Sequence, residues 1–377
     1  MTRPTLVMVT TSFPIAGDGS EAAGAFVADL AEELTSNFNI RIVAPGTANA
    51  IESWSEHIDV YRYEAPKSPL STLKPWRMAD LAWMYKVLKG GQRATWQASD
   101  GTEHILALWA LPSGQWAKKA ARRRRIGYSV WTLGSDIWSL GKVPLLRARL
   151  RSILKSAHHC WSDGIELGNE TKAIAGREVA FLPSTRRIDA GSRSPNRSQP
   201  PFRFLFLGRW HPNKGVDLLM QALSELEDED WAQIESVTIA GGGALEPLVR
   251  SSAASLLHAG RPVEVRGYLS RDEASTAMLH ADYLLIPSRI ESIPVVFSDA
   301  MKLGLPVVSM PVGDLSALVT SEIGVLANEV SAEAFASAMR TMLGTDPARF
   351  HLQAMRERFD LGKTAQAITA AILQNKP

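Results

Sequence analysis

The chain has 377 residues, of which 45% are hydrophobic and 21% are charged, a composition typical of soluble folded proteins. This is more residues than one hydrophobic core ordinarily supports, so we expect two domains. No apolar run reaches the roughly 18 residues that a membrane-spanning helix needs. Cys160 is the single cysteine, which excludes an intrachain disulfide and argues against a structural zinc site. The start, MTRPTLVMVTTSFP, lacks the apolar stretch of a secretory signal, so a cytoplasmic location is expected.

The formal net charge of +2 conceals an asymmetry between the two halves of the chain. Residues 1–200 carry 26 Lys and Arg against 18 Asp and Glu, whereas the remainder carries 15 against 21. This pattern indicates that the first half faces something anionic. Ordinary variation of surface charge is the alternative.

The first half alternates apolar runs with amphipathic stretches. Such alternation predicts parallel strands with helices on both faces of the sheet. The predicted strands are TLVMVT (5–10), NIRIVAP (39–45), ILALWA (105–110) and YSVWTL (128–133). The predicted helices are 25–34 and stretches near 76–89, 114–124 and 145–155.

A linker rich in Pro, Ser, Gly and Arg, at 183–201, separates this half from a second alternation of the same kind. The sequence therefore predicts an α/β protein of two doubly wound, Rossmann-like domains facing each other across a cleft, where a ligand would bind. We expect domains at 1–185 and 202–360, a linker at 186–201, and a C-terminal helix at 361–377 packing back on the first domain.

An acidic motif follows a predicted strand at 282–287. Pro294 suits the start of a helix, and Gly304 suits its end. Glu291 lies just before this helix start, where backbone N–H groups can hold a phosphate, and Asp299 lies about two turns later. Taken as a pair, the two acids could equally be a helix-capping glutamate and a surface aspartate.

The motif resembles the donor site of retaining family 4 glycosyltransferases of the GT-B fold, whose pattern is E-S-x-P-x-x-x-x-E-A. Here the stretch is ESIPVVFSDA, so Glu291, Ser292 and Pro294 match, and Asp299 replaces the second glutamate. The resemblance implies that Glu291 binds hydroxyls of the donor sugar and that Asp299 binds the ribose, since carboxylates accept such hydrogen bonds. Ser292, Ile293 and Pro294 would complete this side of the donor site.

The stretch FLFLGRWHPNKG resembles the family motif G-R-x-x-x-x-K-G, with Gly208, Arg209 and Lys214 in place. As catalytic groups, Arg209 and Lys214 would stabilise the charge of a leaving nucleoside diphosphate without a metal. Without this context, an Arg and a Lys in a loop are ordinary solvated side chains.

Two further stretches resemble turns that meet the nucleotide. In IAGGGALEPL (239–248), Gly242 belongs to a glycine cluster that permits close backbone approach, although such a cluster is also typical of a plain tight turn. In VEVRGYL (263–269), Gly267 and Tyr268 occupy the place that contacts the base.

In the first half the resemblance is looser and assigns acceptor-side residues. Gly24 lies in the first loop, and Trp109 lies near the end of the predicted strand at 105–110. Gly134 and Asp136 match a His-Gly-x-Asp pattern, but Leu133 replaces the histidine, so Asp136 has a purely structural alternative. Three histidines are possible substitutes, each more typical of packing or surface positions: His104, His158 and His159.

Two basic features suggest docking to an anionic membrane and a lipid-linked acceptor. The segment 69–97 has five Lys and Arg and one Asp, and KKAARRRR (118–125) adds six basic residues. No sequence motif of a nucleic-acid-binding domain accompanies these basic features, so nucleic-acid binding is not expected. A helix face covering its own core is the plain alternative. Aromatic and sulfur side chains interleave with the charges of the first feature: Trp76, Trp83, Met84, Tyr85 and Trp96.

The resemblance implies a hexosyltransferase that uses a UDP- or GDP-sugar, requires no cofactor or metal, and builds a surface polysaccharide or glycolipid. Two alternatives remain: another GT-B enzyme such as a nucleotide-sugar epimerase, and a degenerate relative that acts as a binding partner.

Overall fold

The structure is a computed structural model that describes residues 3–15, 24–66, 73–74, 76–188 and 197–374. Parts of three sequence features therefore lie outside the described residues: the first loop, the basic aromatic segment and the linker. The chain divides into two compact units. Unit 1 comprises Met1–Arg186 and Leu361–Pro377, and unit 2 comprises Arg187–Asp360.

Unit 1 is built on an eight-stranded sheet in the order β3-β4-β2-β1-β5-β6-β7-β8. Every neighbouring pair is parallel except β3 and β4. The strands are β1 (Thr5–Val9), β2 (Asn39–Gly46), β3 (Ala50–Ser55), β4 (Ile58–Glu64), β5 (His104–Leu108), β6 (Gly127–Thr132), β7 (Cys160–Ser162) and β8 (Ala180–Phe181).

Helices cover both faces of this sheet. Alternate strand residues point to opposite faces, so Leu6 and Met8 join one apolar core and Val7 and Val9 join the other. The last helix of the chain packs against the first. The helices of unit 1 are α1 (Ala25–Leu34), α2 (Met78–Ala98), α3 (Gln115–Arg124), α4 (Ser135–Trp138), α5 (Pro144–Ser156), α6 (Ile165–Ala175) and, closing the chain, α15 (Leu361–Leu373).

Unit 2 has a six-stranded, fully parallel sheet in the order β11-β10-β9-β12-β13-β14. The strands are β9 (Phe202–Arg209), β10 (Ile234–Gly242), β11 (Val263–Arg266), β12 (Tyr283–Ile286), β13 (Val307–Ser309) and β14 (Gly324–Leu326). The helices are α7 (Val216–Ser224), α8 (Asp228–Trp231), α9 (Glu246–His258), α10 (Arg271–His280), α11 (Val295–Leu303), α12 (Leu315–Leu318), α13 (Ala332–Leu343) and α14 (Gln353–Arg358).

The prediction of two doubly wound α/β units is confirmed, and two local expectations fall short. Four strands of unit 1 were not predicted: β3, whose mostly exposed residues carry no apolar run, β4, and the short strands β7 and β8. Helix α2 continues beyond the predicted end near residue 89 and through Gly90 and Gly91. A Cβ on Gly91 would lie 2.3 Å from the Trp116 ring, so this glycine serves close packing rather than a helix stop.

Among the described residues, none of the helices is both long enough and apolar enough to cross a membrane.

Candidate active site

Unit 2 has a topological switch point between β9 and β12. These neighbours are parallel, yet the chain leaves β9 toward β10 on one side and leaves β12 toward β13 on the other. In open α/β sheets, ligands bind beyond the carboxyl ends of the strands at such a point. The loops after β9 and β12 carry the two motifs that the sequence analysis singled out.

The structure brings Lys214 and Glu291 into direct contact. Lys214 Nζ forms an ion pair with Glu291 Oε1, and Ser288 Oγ lies 3.4 Å from the same oxygen. The Lys214 side chain is 27% exposed and that of Glu291 is 14% exposed, so both reach solvent only in part. Two opposite charges at the rim of a switch point can accept a ligand that carries phosphates and hydroxyls.

Close backbone contact holds the two loops together. Gly215, which ends the turn after Lys214, has a φ of 68°, and a Cβ there would lie 1.8 Å from the Pro287 carbonyl oxygen. Gly313 fits under the second loop in the same way. It has a φ of 49°, and a Cβ would lie 2.1 Å from the Glu291 carbonyl oxygen. Glycine is required at both positions, since any side chain would push the loops apart.

A two-pronged ion pair, the fork, joins Arg289 in the loop after β12 to Asp217 in the first turn of α7. Nη1 and Nη2 of Arg289 each donate to a different carboxylate oxygen of Asp217 at 2.7 Å, and Nη1 also donates to the Pro212 carbonyl at 2.7 Å. Burial of Asp217 opposes its ionisation, but hydrogen bonding and the charge of Arg289 outweigh burial, so the pKa of Asp217 lies below its ordinary value. This fork was not predicted from the sequence, although Arg289 lies only two residues before Glu291.

The start of α11 follows directly on the Glu291 loop. Pro294 is the residue just before the helix rather than part of its first turn, and its carbonyl accepts from Phe297 N–H at 3.0 Å. Ile293 is buried. Ser292 Oγ is buried and has no hydrogen-bond partner within the described part of the chain. A buried hydroxyl of this kind is available to a ligand.

Asp299 lies on the buried side of α11. Its side chain has no exposed surface, and its Oδ1 lies 3.1 Å from Lys302 Nζ. In this structure the carboxylate therefore faces Lys302 and not solvent. A ribose would reach it only after the side chain had left Lys302, and the ribose contact stays a prediction.

The predicted nucleotide-side residues gather at the ends of three neighbouring strands, β9, β10 and β11. Gly241 N–H donates to the Gly267 carbonyl at 3.2 Å, and Tyr268 Oη donates to the Gly242 carbonyl at 2.8 Å. Gly241 has a φ of 151°, and a Cβ there would lie 1.9 Å from the Gly208 carbonyl oxygen. Exposed Arg209 is the last residue of β9, paired in register with Gly242.

The predicted acceptor-side residues lie in unit 1 beyond β1, β5 and β6. Asp136 is buried, and its Oδ2 accepts from Ala110 N–H at 2.6 Å. It thereby ties the loop after β6 to the loop after β5, where Trp109 has a φ of 67°. Gly134 has a φ of 111°, and Gly24, with a φ of 78°, precedes the first residue of α1. Burial raises the pKa of Asp136 to about 6, although several backbone N–H groups oppose the shift.

None of the three candidate histidines lies near Leu133. His104 begins β5, and His158 and His159 precede β7, so all three lie at the amino ends of the strands, whereas Leu133 follows the carboxyl end of β6. Burial, followed by the charges of His158 and His159, lowers the pKa of His104 to about 3. The idea that one of them replaces the missing histidine is therefore wrong.

Across the described ranges, no group of three or more His, Cys, Asp or Glu side chains could hold a metal ion.

A family model described as Glycosyl transferases group 1 matches residues 201–345, which include Lys214 and Glu291. A putative teichuronic acid biosynthesis glycosyltransferase, TuaC, from Bacillus subtilis strain 168 is 24% identical over 286 residues, covering 70% of this chain and 68% of TuaC. A D-inositol 3-phosphate glycosyltransferase from Corynebacterium aurimucosum is 31% identical over 151 residues. That match covers 39% of this chain and only 36% of the relative's length.

Solved structures with low sequence identity share the fold over both units. Sucrose-phosphate synthase from Thermosynechococcus elongatus matches with a TM-score of 0.70 and 18% identity, covering 99% of this chain and 97% of that one. HepE from Anabaena in complex with UDP-glucose matches with a TM-score of 0.68 and 16% identity, covering 98% and 99%.

Proposed function

We propose that this chain, which matches the Glycosyl transferases group 1 model over residues 201–345 and has the GT-B fold, is a retaining hexosyltransferase that uses a nucleoside-diphosphate sugar. The observation that carries the proposal is the contact between Lys214 and Glu291 at the switch point of unit 2. A cation and a carboxylate placed together there match the two ends of such a donor, its diphosphate and its sugar.

We assign the diphosphate to Arg209 and Lys214. Negative charge grows on the leaving phosphate as the glycosidic bond breaks, and fixed cations stabilise that charge. This arrangement supports metal-independent transfer with no cofactor besides the donor. Gly242, Gly267 and Tyr268 would receive the nucleoside, with UDP as the first choice because HepE, a protein of the same fold, is known with UDP-glucose.

We assign the sugar to Glu291, whose carboxylate accepts hydrogen bonds from its hydroxyls, and to Ser292, whose buried hydroxyl would gain a partner. In the proposed mechanism the anomeric configuration is retained because the acceptor hydroxyl attacks the sugar from the same face that the diphosphate leaves. The donor bond loosens toward an oxocarbenium ion, and the leaving phosphate takes the proton of the acceptor hydroxyl. This path requires no protein base, so it accommodates Leu133 in place of a histidine.

We propose a glycan or lipid-linked acceptor in the synthesis of a cell-surface polysaccharide or glycolipid. Similarity to TuaC, whose name refers to teichuronic acid biosynthesis, supports this class. Unit 1 would receive the acceptor near Gly24, Trp109 and Gly134. The reaction would take place in the cytoplasm, at the inner face of an anionic membrane.

The test is a thermal-shift panel of UDP-, GDP- and ADP-sugars, because a ligand that binds the folded state raises its apparent stability. Transfer or hydrolysis of the stabilising donor is then measured in the wild type, Glu291→Ala and Lys214→Ala. We expect both variants to lose turnover and NMR of the product to show a retained anomeric configuration.

Three outcomes would contradict the proposal in different ways. Unchanged turnover in both variants would remove the site assignment. Conversion of the donor sugar to its epimer without transfer would favour an epimerase. Donor binding without transfer or hydrolysis, unaffected by either substitution, would favour a degenerate binding protein.

A further inference from the structure

The first half of helix α2 exposes a continuous apolar stripe. Met78, Leu81, Tyr85 and Leu88 follow one another at spacings of three, four and three residues, which places them on one helix face. Their side chains are 80%, 45%, 63% and 50% exposed, respectively, and Trp76 just before the helix is 76% exposed. An exposed apolar patch of this size on a single helix marks a binding surface.

The opposite face of α2 already packs on unit 1. Val87, Gly91 and Ala94 are buried, and α2 contacts β4 and α3. The stripe is therefore not a misplaced core face, because the helix has a core face of its own. The plain alternative from the sequence, a helix that merely covers its own core, does not account for it.

Positive charge borders the stripe. Lys89 Nζ lies 5.3 Å from the centre of the Tyr85 ring, and Lys74 Nζ lies 5.9 Å from the Trp76 ring. Arg93 is exposed one turn further on. The one acidic residue of α2, Asp80, is engaged by the Lys74 backbone N–H at 3.0 Å. Aromatic and aliphatic groups bordered by lysine and arginine match the interface of an anionic bilayer.

The arginine-rich run 118–125 does not belong to this surface. Lys118 Nζ binds Ser152 and Ser156 oxygens, and Arg124 lies 3.9 Å above the Trp96 ring and pairs with Asp100 at 2.7 Å. Trp96 lies eight residues after Leu88, the last apolar residue of the stripe, so this run contacts α2 about 12 Å beyond the stripe along the helix axis. The two basic features of the sequence thus meet at Trp96, and only the first carries the exposed apolar stripe.

We propose that the docking face, formed by Trp76, Met78, Leu81, Tyr85 and Leu88 with Lys89 and Arg93, inserts into the headgroup region of an anionic phospholipid membrane. A second copy of the chain fits less well, because a contact between two such faces would press two surfaces of net positive charge together. The inference rests on the proposed membrane partner and names its surface. It is independent of the donor chemistry.

The face also lies where docking would serve the reaction. Helix α2 follows β4, which ends at Glu64, and leads back to the start of β5 at His104. Its first turns therefore lie toward the carboxyl ends of the strands, the edge at which α/β units bind ligands. A lipid-linked substrate held in the membrane would thus meet unit 1 at its ligand-binding edge.

The experiment is co-sedimentation of the full chain with phosphatidylcholine vesicles, with and without phosphatidylserine, at low and high salt. We expect binding that requires phosphatidylserine and weakens with salt. Lys89→Glu with Arg93→Glu should weaken it at least 30-fold, since each cation near the surface contributes about a fivefold gain. Leu81→Gln with Leu88→Gln should weaken it more than tenfold.

The matched control is Lys119→Glu with Arg122→Glu, two exposed cations of the separate run, which should leave vesicle binding unchanged. Thermal melting confirms that each variant is folded. Loss of binding only in the control variant would overturn the proposal, as would a wild type that ignores anionic vesicles. A concentration-dependent dimer that Leu81→Gln with Leu88→Gln abolishes, seen without vesicle binding, would assign the face to a second copy.

Donor-driven thermal stabilisation is measured on the same variants. If the protein fails to bind vesicles but the donor still stabilises it, only the proposed docking face is contradicted. If the protein binds vesicles but no donor raises its thermal stability, only the proposed transferase function is contradicted.

Discussion

Equivalent edges of the two units use charge in opposite ways. Beyond β9 and β12, Lys214 and Glu291 are partly exposed, and other groups hold them in place, whereas beyond β5 and β6 Asp136 is buried and itself holds the backbone of Ala110. The loops of unit 2 thus present charge to a ligand, and the loop of unit 1 uses charge to fix its own shape. The same α/β topology therefore does not make every acidic residue at a strand end part of the chemistry.

The largest expected effect concerns Lys214. In the proposed mechanism, Lys214→Met removes a cation that faces the growing charge of the leaving diphosphate, and we expect kcat/KM for transfer to fall by about 10²- to 10³-fold. Steady-state kinetics with the stabilising donor measures this. Lys119→Met, at an exposed position of α3, is the matched control and should retain wild-type turnover. Equal activity of the two variants would place the chemistry away from this loop.

A smaller effect is expected at Glu291. Glu291→Gln keeps a hydrogen-bond acceptor of similar shape but removes the charge that strengthens its bonds to sugar hydroxyls. The loss corresponds to about 1–2 kcal/mol, or roughly a 5- to 30-fold lower kcat/KM. Donor-sugar analogues that lack one hydroxyl sharpen the test. An analogue whose missing hydroxyl normally meets Glu291 should be turned over equally by wild type and variant.

The fork between Arg289 and Asp217 is expected to affect activity only indirectly, by holding the loop that carries Glu291 in position. Arg289→Lys keeps the charge but loses the second bond to Asp217, so we expect about 1–2 kcal/mol lower stability and a decrease in kcat of severalfold. Arg250→Lys, in an exposed pair with Glu246, is the control and should change neither quantity. A variant at Arg289 that loses stability but keeps full kcat would show that the fork serves only the fold.

Substitution of Asp136 is expected to have the smallest effect on activity but to change how stability depends on pH. Its pKa rises in the folded state from 3.8 to about 6, so the folded protein holds a proton that the unfolded chain has already released. Stability is therefore greatest below pH 3.8 as far as this group is concerned, and it falls by about 3 kcal/mol as pH rises through 6.

Urea unfolding of wild type and Asp136→Asn between these pH values tests this account. Asparagine can still accept from Ala110 N–H, so the variant should lack the pH-dependent loss while keeping turnover close to that of the wild type. If the variant unfolds with the same pH dependence as the wild type, the raised pKa of the buried Asp136 carboxyl is contradicted. A large loss of turnover in a folded variant would give Asp136 a role in the chemistry after all.

The sequence predicted the parts that depend on apolar periodicity and on short motifs. The two alternations indicated both parallel sheets, although they located only four of the eight strands of unit 1, and Gly304 was correctly predicted to close α11, where it adopts a φ of 67°. The spacing of Lys214 and Glu291 could not reveal their contact, because 77 residues separate them and only the order of β9 and β12 brings their loops together.

Other features depended on packing that no local pattern carries. The fork joins Arg289 in a loop to Asp217 in the first turn of α7 across 72 residues, and burial of Asp299 depends on which side of α11 faces the core. Pairing of the short strand β14 with β13 likewise needs the assembled sheet. Charge composition predicted one basic half, but only the structure shows that the exposed apolar stripe ends at Leu88, before Trp96 and the arginine-rich run.

Hydrogen exchange on the wild type, with and without the stabilising nucleotide sugar, tests the central claim most directly because it locates the ligand. The account predicts slower exchange in residues 208–216 and 287–299, the two loops joined by Lys214 and Glu291. Slower exchange confined to other parts of the chain, with both of these segments unchanged at saturating donor, would contradict it.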